Sequence, residues 1–397
     1  MKSRGTLLAL LLCLPLALFA DDNDTVAIKT FREYPDATAI AGVKKVKNII
    51  LLIGDGMGFN QVTAARMAAF GRGVGLAMDR MEETGQSITL SLNGELITDS
   101  AAGATSLASG IKTLNGMIGE NPDGKRVKTI ADLARKLGKS TGVVASCDVT
   151  HATPACFASH VKSRANAWEI ARQMADEPLE VLLGGGYQYF LPGSHPESTR
   201  DDELDLIARM RDRGATVVMG PEEFRALETD KVKSLVGLLT ASHPKPADRR
   251  VVGLKEMTRA ALDVLKGNPK GFFLMVEASQ IDWEGHGNNF QGNVAETLDF
   301  DETIGMVLEF AEADSNTLVI VTADHETGGL SINKASEEAS SLTAGWTSGS
   351  HTANPVPIFA HGPNSHAFGR VLHNHQIPQL AVQGWGIKNF TDFVYGK

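Results

Sequence analysis

Uninterrupted apolar runs alternate with segments of helical periodicity along this chain. The clearest run, Ile49 to Ile53, is followed by a helical stretch from Gln61 to Phe70. Continuous apolar strands between helices are typical of a parallel sheet buried on both faces. The pattern predicts an α/β fold, a three-layer sandwich with a mostly parallel central sheet flanked by helices. Further predicted strands are 141–145, 272–276, 317–321 and 356–359, and further predicted helices are 101–110, 129–137, 154–161 and 294–311.

The middle of the chain is harder to assign. Residues 176–250 are rich in turns and charged residues, and we predict no helix or strand there. The sequence shows neither an internal repeat nor a low-complexity linker. We therefore expect one α/β catalytic domain with insertions over residues 21–397, which is long for a single domain.

The N-terminal segment has the three parts of a secretory signal peptide. Lys2 and Arg4 precede an apolar run from Leu7 to Phe19, and a small-residue cleavage site ends at Ala20. The run is shorter than the roughly 20 residues that a membrane span needs. We expect residues 1–20 to be removed after Ala20, which leaves a periplasmic or secreted protein with no membrane anchor.

The net charge limits the classes of binding partner, and the number of cysteines limits the possible disulfides. The chain carries 38 Lys and Arg residues against 47 Asp and Glu residues, a formal net charge of −9. An acidic surface argues against nucleic acid or an anionic membrane as a primary partner. Cys13 lies in the predicted signal peptide, so Cys147 and Cys156 remain. Two readings stay open for them: a disulfide in an oxidising compartment, or two free buried thiols.

Ser100 is the strongest candidate for a nucleophile. A short apolar segment ends at Thr98 and Asp99, and the small residues from Ala101 to Gly110 predict the first turns of a helix. Asp99 is a favourable N-cap, which places the Ser100 hydroxyl at the positive end of that helix, where anions are stabilised. A serine placed this way suits attack on an anionic substrate if a base or metal lowers its pKa. The alternative is an ordinary serine at the start of a tightly packed helix.

Carboxylate and imidazole side chains follow the predicted strands at their carboxyl ends, where α/β sheets bind ligands. Asp282 and His286 are four residues apart, so a helix would place them on one face. Asp324 and His325 form an adjacent pair, and His351 adds a third imidazole. Mixed carboxylate and histidine ligands suit zinc, and oxygen ligands suit magnesium. The candidates at strand ends are Asp55, His151, Thr153, Glu277, Asp282, His286, Asp324 and His325.

The order of these motifs resembles the alkaline phosphatase family. The segment around Ser100 is similar to the family's active-site serine pattern, and Asp55 begins an Asp-Gly-Met-Gly segment that also matches. The resemblance covers roughly residues 48–351 and implies the alkaline-phosphatase-like α/β fold. The matching segments in chain order are 55–58, 97–105, 151–154, 276–286, 322–326 and His351.

The resemblance implies two zinc ions and one magnesium ion per subunit. His151, two residues before Thr153, coordinates the third cation, contacts it through a water, or only shapes the pocket, and we favour the water-mediated contact. The implied ligands are Asp282, His286 and His351 for the first zinc, Asp55, Asp324 and His325 for the second, and Asp55, Thr153 and Glu277 for magnesium.

The resemblance also implies which residues meet the substrate. Ser100 is the nucleophile that becomes phosphorylated as phosphate monoesters are hydrolysed, and Arg164 binds the phosphate, since a guanidinium can hold two phosphate oxygens at once. We expect Trp283 to form a pocket wall rather than to contact phosphate through its N–H. The family resemblance suggests a homodimer. The short spacing from His325 to His351 predicts minimal insertions, an open active-site rim and broad substrate tolerance.

Other functions remain open at this point. A related metallohydrolase on the same scaffold, such as a phosphodiesterase, a sulfatase or a phosphosugar mutase, commonly has Thr, or a modified Cys or Ser in another context, at the position of Ser100. An exported phosphate-binding protein without turnover would need no cluster of metal-ligating Asp and His residues. We therefore predict an exported alkaline phosphatase.

Overall fold

Helices and strands alternate along most of the described chain. The computed structural model describes residues 34–92, 94 and 96–396, so the predicted signal peptide lies outside the described residues. The chain divides into two units, Met1–Pro35 and Asp36–Lys397, and the elements named here belong to the second. Among the described residues, no helix combines the length and the apolar character needed to cross a bilayer.

The described strands and α-helices have the following bounds. The strands are β1 Asn48–Gly54, β2 Glu83–Ile88, β3 Ser140–Asp148, β4 Val181–Gly185, β5 Thr216–Val218, β6 Leu235–Leu238, β7 Phe272–Ala278, β8 Thr317–Thr322, β9 Glu326–Thr327, β10 Ser331–Ser336, β11 Ser341–Gly345, β12 His351–Thr352, β13 Val356–His361 and β14 Val371–His373. The α-helices are α1 Phe59–Phe70, α2 Ser100–Ser109, α3 Ile130–Lys136, α4 Ala152–Ala155, α5 Ala167–Asp176, α6 Leu206–Asp212, α7 Pro221–Arg225, α8 Leu254–Leu265, α9 Gln280–His286, α10 Phe290–Asp314, α11 Gln376–Ala381 and α12 Phe390–Val394.

Ten of these strands form one central sheet in the order β14-β2-β13-β8-β1-β7-β3-β4-β6-β5. Neighbouring strands are parallel except where β13 pairs with β8 and with β2. The two short pairs β10–β11 and β9–β12 lie outside the sheet. The predicted α/β fold with a mostly parallel sheet is confirmed, and the predicted strand at 356–359 is the antiparallel exception.

Both faces of the sheet are buried, as the uninterrupted apolar runs predict. Along β1, Ile49 and Leu51 belong to one hydrophobic cluster, which includes Ala101 and Leu107 of α2. The alternate residue Ile50 belongs to a second cluster with residues of α8 and α10. Because successive side chains of a strand point to opposite faces, helices cover the sheet on both sides and three layers result.

One sequence expectation fails in the segment that precedes Arg164. The predicted helix 154–161 is wrong: α4 ends at Ala155. Beyond it, Val161 pairs with Ile118 through two backbone hydrogen bonds of 2.9 Å, and this bridge replaces further helical turns. The described residues 96–99, directly before Ser100, have no regular structure. Residues 176–250, left without elements, contribute β4, β5 and β6 at one sheet edge.

Helix α2 approaches the end of β8 closely because its residues are small. A Cβ built on Gly103 would lie 3.0 Å from the backbone oxygen of Asp324 and 3.1 Å from its Cβ. A backbone atom at this distance cannot move without displacing Asp324 itself. The glycine therefore fixes how near the start of α2 can come to the strand end.

We expect Gly103→Ala to lower the free energy of unfolding by about 1–3 kcal/mol, because the clash outweighs the gain in helix propensity. The matched control is Gly305→Ala in α10, where the nearest atom to an added Cβ is the Cβ of Ala77 at 3.5 Å. That variant should gain roughly 0.5–1 kcal/mol. Urea denaturation of both measures the difference, and equal stabilisation by the two substitutions would contradict the close contact.

Candidate active site

The carboxyl ends of four adjacent strands bring the candidate residues together. In the sheet, Ile53 of β1 lies opposite Glu277 of β7 and Thr322 of β8, and Glu277 lies opposite Ala145 of β3. This alignment places the residues that follow β1, β3 and β8 around Glu277 at one edge. The strand-end pattern in the sequence therefore corresponds to one site in space.

Ser100 begins helix α2 and is buried, with 1% of its surface exposed. Its Oγ lies 3.2 Å from Nε2 of His325. Asp99 is the N-cap, as the sequence predicts, because its Oδ1 accepts a hydrogen bond of 3.0 Å from the backbone N–H of Ala102. The cap fixes the first turn of the helix and thereby the direction of the Ser100 hydroxyl.

Asp99 also positions Arg164. Its Oδ2 accepts hydrogen bonds from Nη1 of Arg164 at 3.1 Å and from the backbone N–H of Gly116 at 3.0 Å. The backbone N–H of Arg164 donates to Gly116 O at 2.8 Å. One carboxylate therefore ties the serine helix to the arginine, and its charge contributes to raising the pKa of the guanidinium.

A first group of possible metal ligands consists of Asp282, His286 and His351. Oδ1 of Asp282 lies 3.4 Å from Nε2 of His286 and 3.6 Å from Nε2 of His351, and the two imidazole Nε2 atoms are 3.2 Å apart. Each Nδ1 faces a backbone carbonyl at 2.8 Å, that of Gly349 for His286 and of Thr98 for His351. A proton on Nδ1 leaves both Nε2 lone pairs free for a metal.

A second group surrounds the serine and consists of Asp55, Asp324 and His325, all fully buried. Nε2 of His325 lies 3.4 Å from Oδ1 of Asp55 and 3.3 Å from Oδ2 of Asp324. The same nitrogen faces Ser100. The rings of His325 and His351 stack at 3.6 Å between centroids, so the first and second groups are neighbours.

A third group contains a residue that the sequence analysis does not assign to the site. Cys147 lies with His151 and Glu277, so that one ligand atom from each is within 4.8 Å of the others. The thiol Sγ is 3.5 Å from Oε2 of Glu277. Cys147 and Cys156 are both free and buried, which answers the disulfide question in favour of two thiols. Burial raises the pKa of Glu277, and Thr153, expected at this site, lies near enough to offset part of that rise.

His151 bridges the arginine and the third group. Nη2 of Arg164 lies 3.2 Å from Nε2 of His151. Since a guanidinium only donates, Nε2 accepts and the ring proton is on Nδ1. Burial, followed by the charge of Arg164, lowers the pKa of His151 to about 3. The imidazole is therefore neutral.

Trp283 stands beside this imidazole together with a histidine that the sequence does not indicate. Its ring centroid is 5.9 Å from that of His151 and 4.6 Å from that of His243. Nδ1 of His243 lies 2.9 Å from Oδ2 of Asp148. His243 comes from the segment 176–250, where no periodicity or motif draws attention to it. Asp148, by contrast, lies three residues after the predicted strand 141–145 and could have been found by the strand-end rule.

Glu326 holds the loop that carries His325. Its carboxylate accepts hydrogen bonds from Nε2 of Gln61 at 2.8 Å and from the backbone N–H of Gly329 at 3.2 Å, and it also contacts Oγ1 of Thr352. Thr327 donates from Oγ1 to Oδ1 of Asp282 at 2.5 Å. These contacts hold in place the segments that carry the candidate ligands His325 and Asp282. Hydrogen bonds to metal ligands have the same orienting effect at other metal sites.

Crowding and burial shift the ionisation of the site. Burial raises the pKa of Glu277 to about 8 and that of Asp324 to about 6. Burial, followed by the charge of Asp324, raises the pKa of Asp55 well above its usual range. Burial also lowers the pKa of His325 well below its usual range. Ionised carboxylates this close together need a compensating positive charge.

Several buried ligand atoms fit that requirement, because they have no hydrogen-bond partner among the described residues. Both carboxylate oxygens of Asp55 are in this position, as are one oxygen each of Asp324 and Glu277 and Oγ1 of Thr153. Buried polar atoms are otherwise nearly always paired. The side chains present therefore suit divalent cations.

A mostly parallel sheet with Asp, Glu and His groups at its carboxyl edge defines a metal-dependent α/β enzyme. The alkaline phosphatase family profile matches residues 46–340. Alkaline phosphatase 4 of Bacillus subtilis is 32% identical and the match covers 83% of this chain and 87% of that protein. The structure of alkaline phosphatase from the Antarctic bacterium TAB5 superposes with a TM-score of 0.78 at 34% identity, covering 88% of this chain and 99% of that one. The chain belongs to the alkaline phosphatase family.

A second solved structure bears on the third cation. It is a variant of the TAB5 enzyme with magnesium bound in a site called M3, with a TM-score of 0.77 at 33% identity, covering 87% of this chain and 100% of that one. The family is metal-dependent, and among the described residues three groups of side chains could hold a metal ion, one of which joins Asp282 to Asp55 and His325.

The crowded carboxyls predict how the stability of the metal-free protein depends on pH. Between about pH 7 and pH 8 the folded chain keeps a proton on Glu277 that the unfolded chain has released. Its free energy of unfolding should then fall by roughly 1 kcal/mol per pH unit as pH rises, with Asp55 acting in the same direction. Urea denaturation of chelator-treated protein measures this slope.

Two controls accompany that experiment. Glu277→Gln should reduce the slope in the metal-free protein, since the amide has no proton to lose. Protein reloaded with divalent cations should lose most of it, because a bound cation keeps the carboxylates ionised. A slope that is unchanged in both would show that these carboxyls are not its source.

Proposed function

We propose that the chain is a phosphomonoesterase that hydrolyses phosphate monoesters through a phosphoserine intermediate on Ser100. The observation that carries this proposal is the position of the Ser100 hydroxyl. It lies at the N-terminus of α2, 3.2 Å from the imidazole of His325 in one ligand group. Arg164 is held beside it by the cap residue Asp99. A nucleophile, cation ligands and an anion-binding side chain therefore meet at one point.

Two zinc ions suit the first and second groups, since each combines carboxylates with histidine. The first would be held by Asp282, His286 and His351 and the second by Asp55, Asp324 and His325. When bound, such ions lower the pKa of an attacking oxygen and stabilise the charge on both attacking and leaving oxygens. For the third cation, the resemblance and the TAB5 variant point to magnesium on Asp55, Thr153 and Glu277.

The serine and arginine have separate tasks in the reaction. Ser100 Oγ attacks phosphorus as the bond to the ester oxygen breaks, which releases the alcohol and leaves a phosphoserine. Water then cleaves the bond between phosphorus and Oγ, which gives inorganic phosphate and restores the hydroxyl. Arg164 holds two non-reacting phosphate oxygens, and the free N–H groups at the start of α2 favour the same negative charge.

His151 and Trp283 shape the substrate side of the site. With its proton on Nδ1, His151 offers an N–H rather than a lone pair from that nitrogen, which supports a contact with the third cation through water. Trp283 packs edge-on against His151 and His243, which supports a role as a pocket wall.

Features outside the active site support proposals about export, oligomeric state and substrate range. The signal-like residues 1–20 support export to the periplasm or the medium, and the family resemblance supports a homodimer. Between His325 and His351 the described chain forms only the hairpin β10–β11 and two short strands. This supports an open rim and broad tolerance of phosphate esters. We propose one catalytic domain from the end of the signal peptide to the C-terminus.

Ser100→Ala should reduce kcat for an aryl phosphate monoester by at least about 10³-fold, because the covalent step is lost. Chelation should abolish turnover in the unaltered protein, and zinc should restore it. Steady-state assays measure both, with Ser106→Ala as the matched control, since its hydroxyl only donates to Ala102 O within α2.

The same assay separates the alternative functions. An aryl phosphate diester and an aryl sulfate should be hydrolysed at least about 10³-fold more slowly than the monoester, because the site is built for a dianion. A diester or sulfate that matches the monoester would overturn the proposal in favour of a related metallohydrolase. Phosphate binding with no turnover of any ester would favour a binding protein.

Arg164→Ala should lower kcat/KM by about 10²–10³-fold, since a bidentate charged contact to the phosphate is lost. Arg164→Lys should recover only part of this, because a lysine ammonium does not reproduce the planar fork. Arg172→Ala on the exposed side of α5 serves as the control and should be neutral, as Arg172 pairs only with Glu169 and Asp176. Equal kcat/KM for the Ala and wild-type enzymes would remove Arg164 from the site.

A further inference from the structure

The third cation site contains a thiol that magnesium sites do not use. Cys147 lies near the end of β3 and is fully buried. Its Sγ faces Oε2 of Glu277 at 3.5 Å and lies 3.1 Å from the backbone oxygen of Asp148. Glu277 is the central carboxylate of the implied magnesium site. A sulfur atom therefore stands beside one oxygen of a carboxylate whose other oxygen, Oε1, has no partner among the described residues.

The spacing of these two atoms matches that of two ligands on one zinc ion. Zinc binds thiolate sulfur at about 2.3 Å and carboxylate oxygen at about 2.0 Å, and a tetrahedral angle then puts sulfur and oxygen about 3.5 Å apart. The observed separation is 3.5 Å. One ligand atom each of Cys147, His151 and Glu277 falls within 4.8 Å of the other two. Cys147 and Glu277 could thus bind a single ion directly, with the Nδ1–H of His151 facing that ion through a water.

Buried polar atoms around the thiol also indicate that a ligand binds here. Oε1 of Glu277, Oγ1 of Thr153 and Nδ1 of His151 are buried and have no hydrogen-bond partner among the described residues. These residues come from β7, from α4 and from the turn before it, so they converge from separate elements. The thiol therefore lies beside a cluster of buried donors and acceptors that have no partner among the described residues.

We propose that Cys147 is a direct ligand at the third cation site and that this site selects zinc over magnesium. The inference rests on the proposed function for the existence of the site and departs from the resemblance in the identity of the ion. Magnesium takes oxygen ligands in octahedral geometry, whereas thiolate is a preferred ligand of zinc. Coordination breaks the S–H bond of Cys147, forms the bond from sulfur to the metal, and releases the proton to the solvent.

The second free cysteine shows that burial alone does not create this arrangement. Sγ of Cys156 lies 3.2 Å from Oγ1 of Thr105 and 3.4 Å from the backbone oxygen of Ala101, on the packed side of α2. Cys156 belongs to none of the candidate metal groups found among the described residues. Cys156→Ser is therefore a matched control for Cys147→Ser.

The first test measures which metals stay bound. Full-length mature protein is stripped with a chelator, reloaded with zinc, dialysed against a large excess of magnesium, and analysed for metal content. Wild type and Cys156→Ser should keep three zinc ions per chain, and Cys147→Ser should keep two and take up one magnesium. Wild-type protein that exchanges its third zinc for magnesium would overturn the proposal.

The second test detects the sulfur–metal bond itself and needs no activity. Cobalt substituted into all sites should give a near-ultraviolet sulfur-to-cobalt charge-transfer band in wild type and in Cys156→Ser, but not in Cys147→Ser. Absence of the band in wild type, or its persistence in Cys147→Ser, would overturn the proposal. Because the wild-type result stands alone, poor folding of a variant does not block the test, and Cys147→Ala provides a second variant.

The same preparations separate this inference from the proposed function. Wild type that shows the band and keeps three zinc ions but hydrolyses no phosphate monoester would refute the function and support the thiol site. Active wild type without the band would refute the thiol site and support the function.

Discussion

Four carboxyl groups buried at one edge of the sheet form the constraint on which the rest of the structure depends. Asp55, Glu277 and Asp324 are fully buried, and Asp282 is 4% exposed. Ionised carboxylates cannot stay this close in a protein interior without compensating positive charge. Burial, followed by the charge of His351, lowers the pKa of His325 well below its usual range, so this imidazole can offer a lone pair to a metal ion. The side chains of this cluster therefore suit divalent cations.

The surrounding fold places Ser100, the proposed nucleophile, against that cluster. Small residues let α2 approach Asp324, and Asp99 both caps the helix and holds Arg164. The result is a serine hydroxyl 3.2 Å from Nε2 of His325, with Arg164 bound to the neighbouring residue Asp99. Positioning and electrostatic stabilisation are the main sources of catalysis in phosphoryl transfer, so this arrangement accounts for the proposed reaction. By the same reasoning we infer that the thiol of Cys147 determines which ion the third site binds.

Much of the fold and the site can be predicted from the sequence, because apolar runs identify the buried strands and parallel strands place their ends at one edge. The N-cap Asp99 and the residues after β1, β7 and β8 follow from these rules. His243 does not, because it lies in a segment without periodicity and meets Trp283 only through the tertiary fold. The helix expected beyond Pro154 fails because Val161 pairs with Ile118, a contact 43 residues away in the chain. Cys147 is visible in the sequence, but only the distance to Glu277 distinguishes a ligand from a packed thiol.

Anomalous diffraction from crystals of the zinc-loaded protein, recorded on both sides of the zinc absorption edge, tests the account most directly. We expect three zinc peaks. The first lies between Asp282, His286 and His351, and the second lies between Asp55, Asp324 and His325 beside Ser100. The third lies against Sγ of Cys147 and the carboxylate of Glu277. Buried carboxylates with no metal between them, or zinc bound elsewhere on the surface, would contradict the claim that this edge of the sheet is organised around cations.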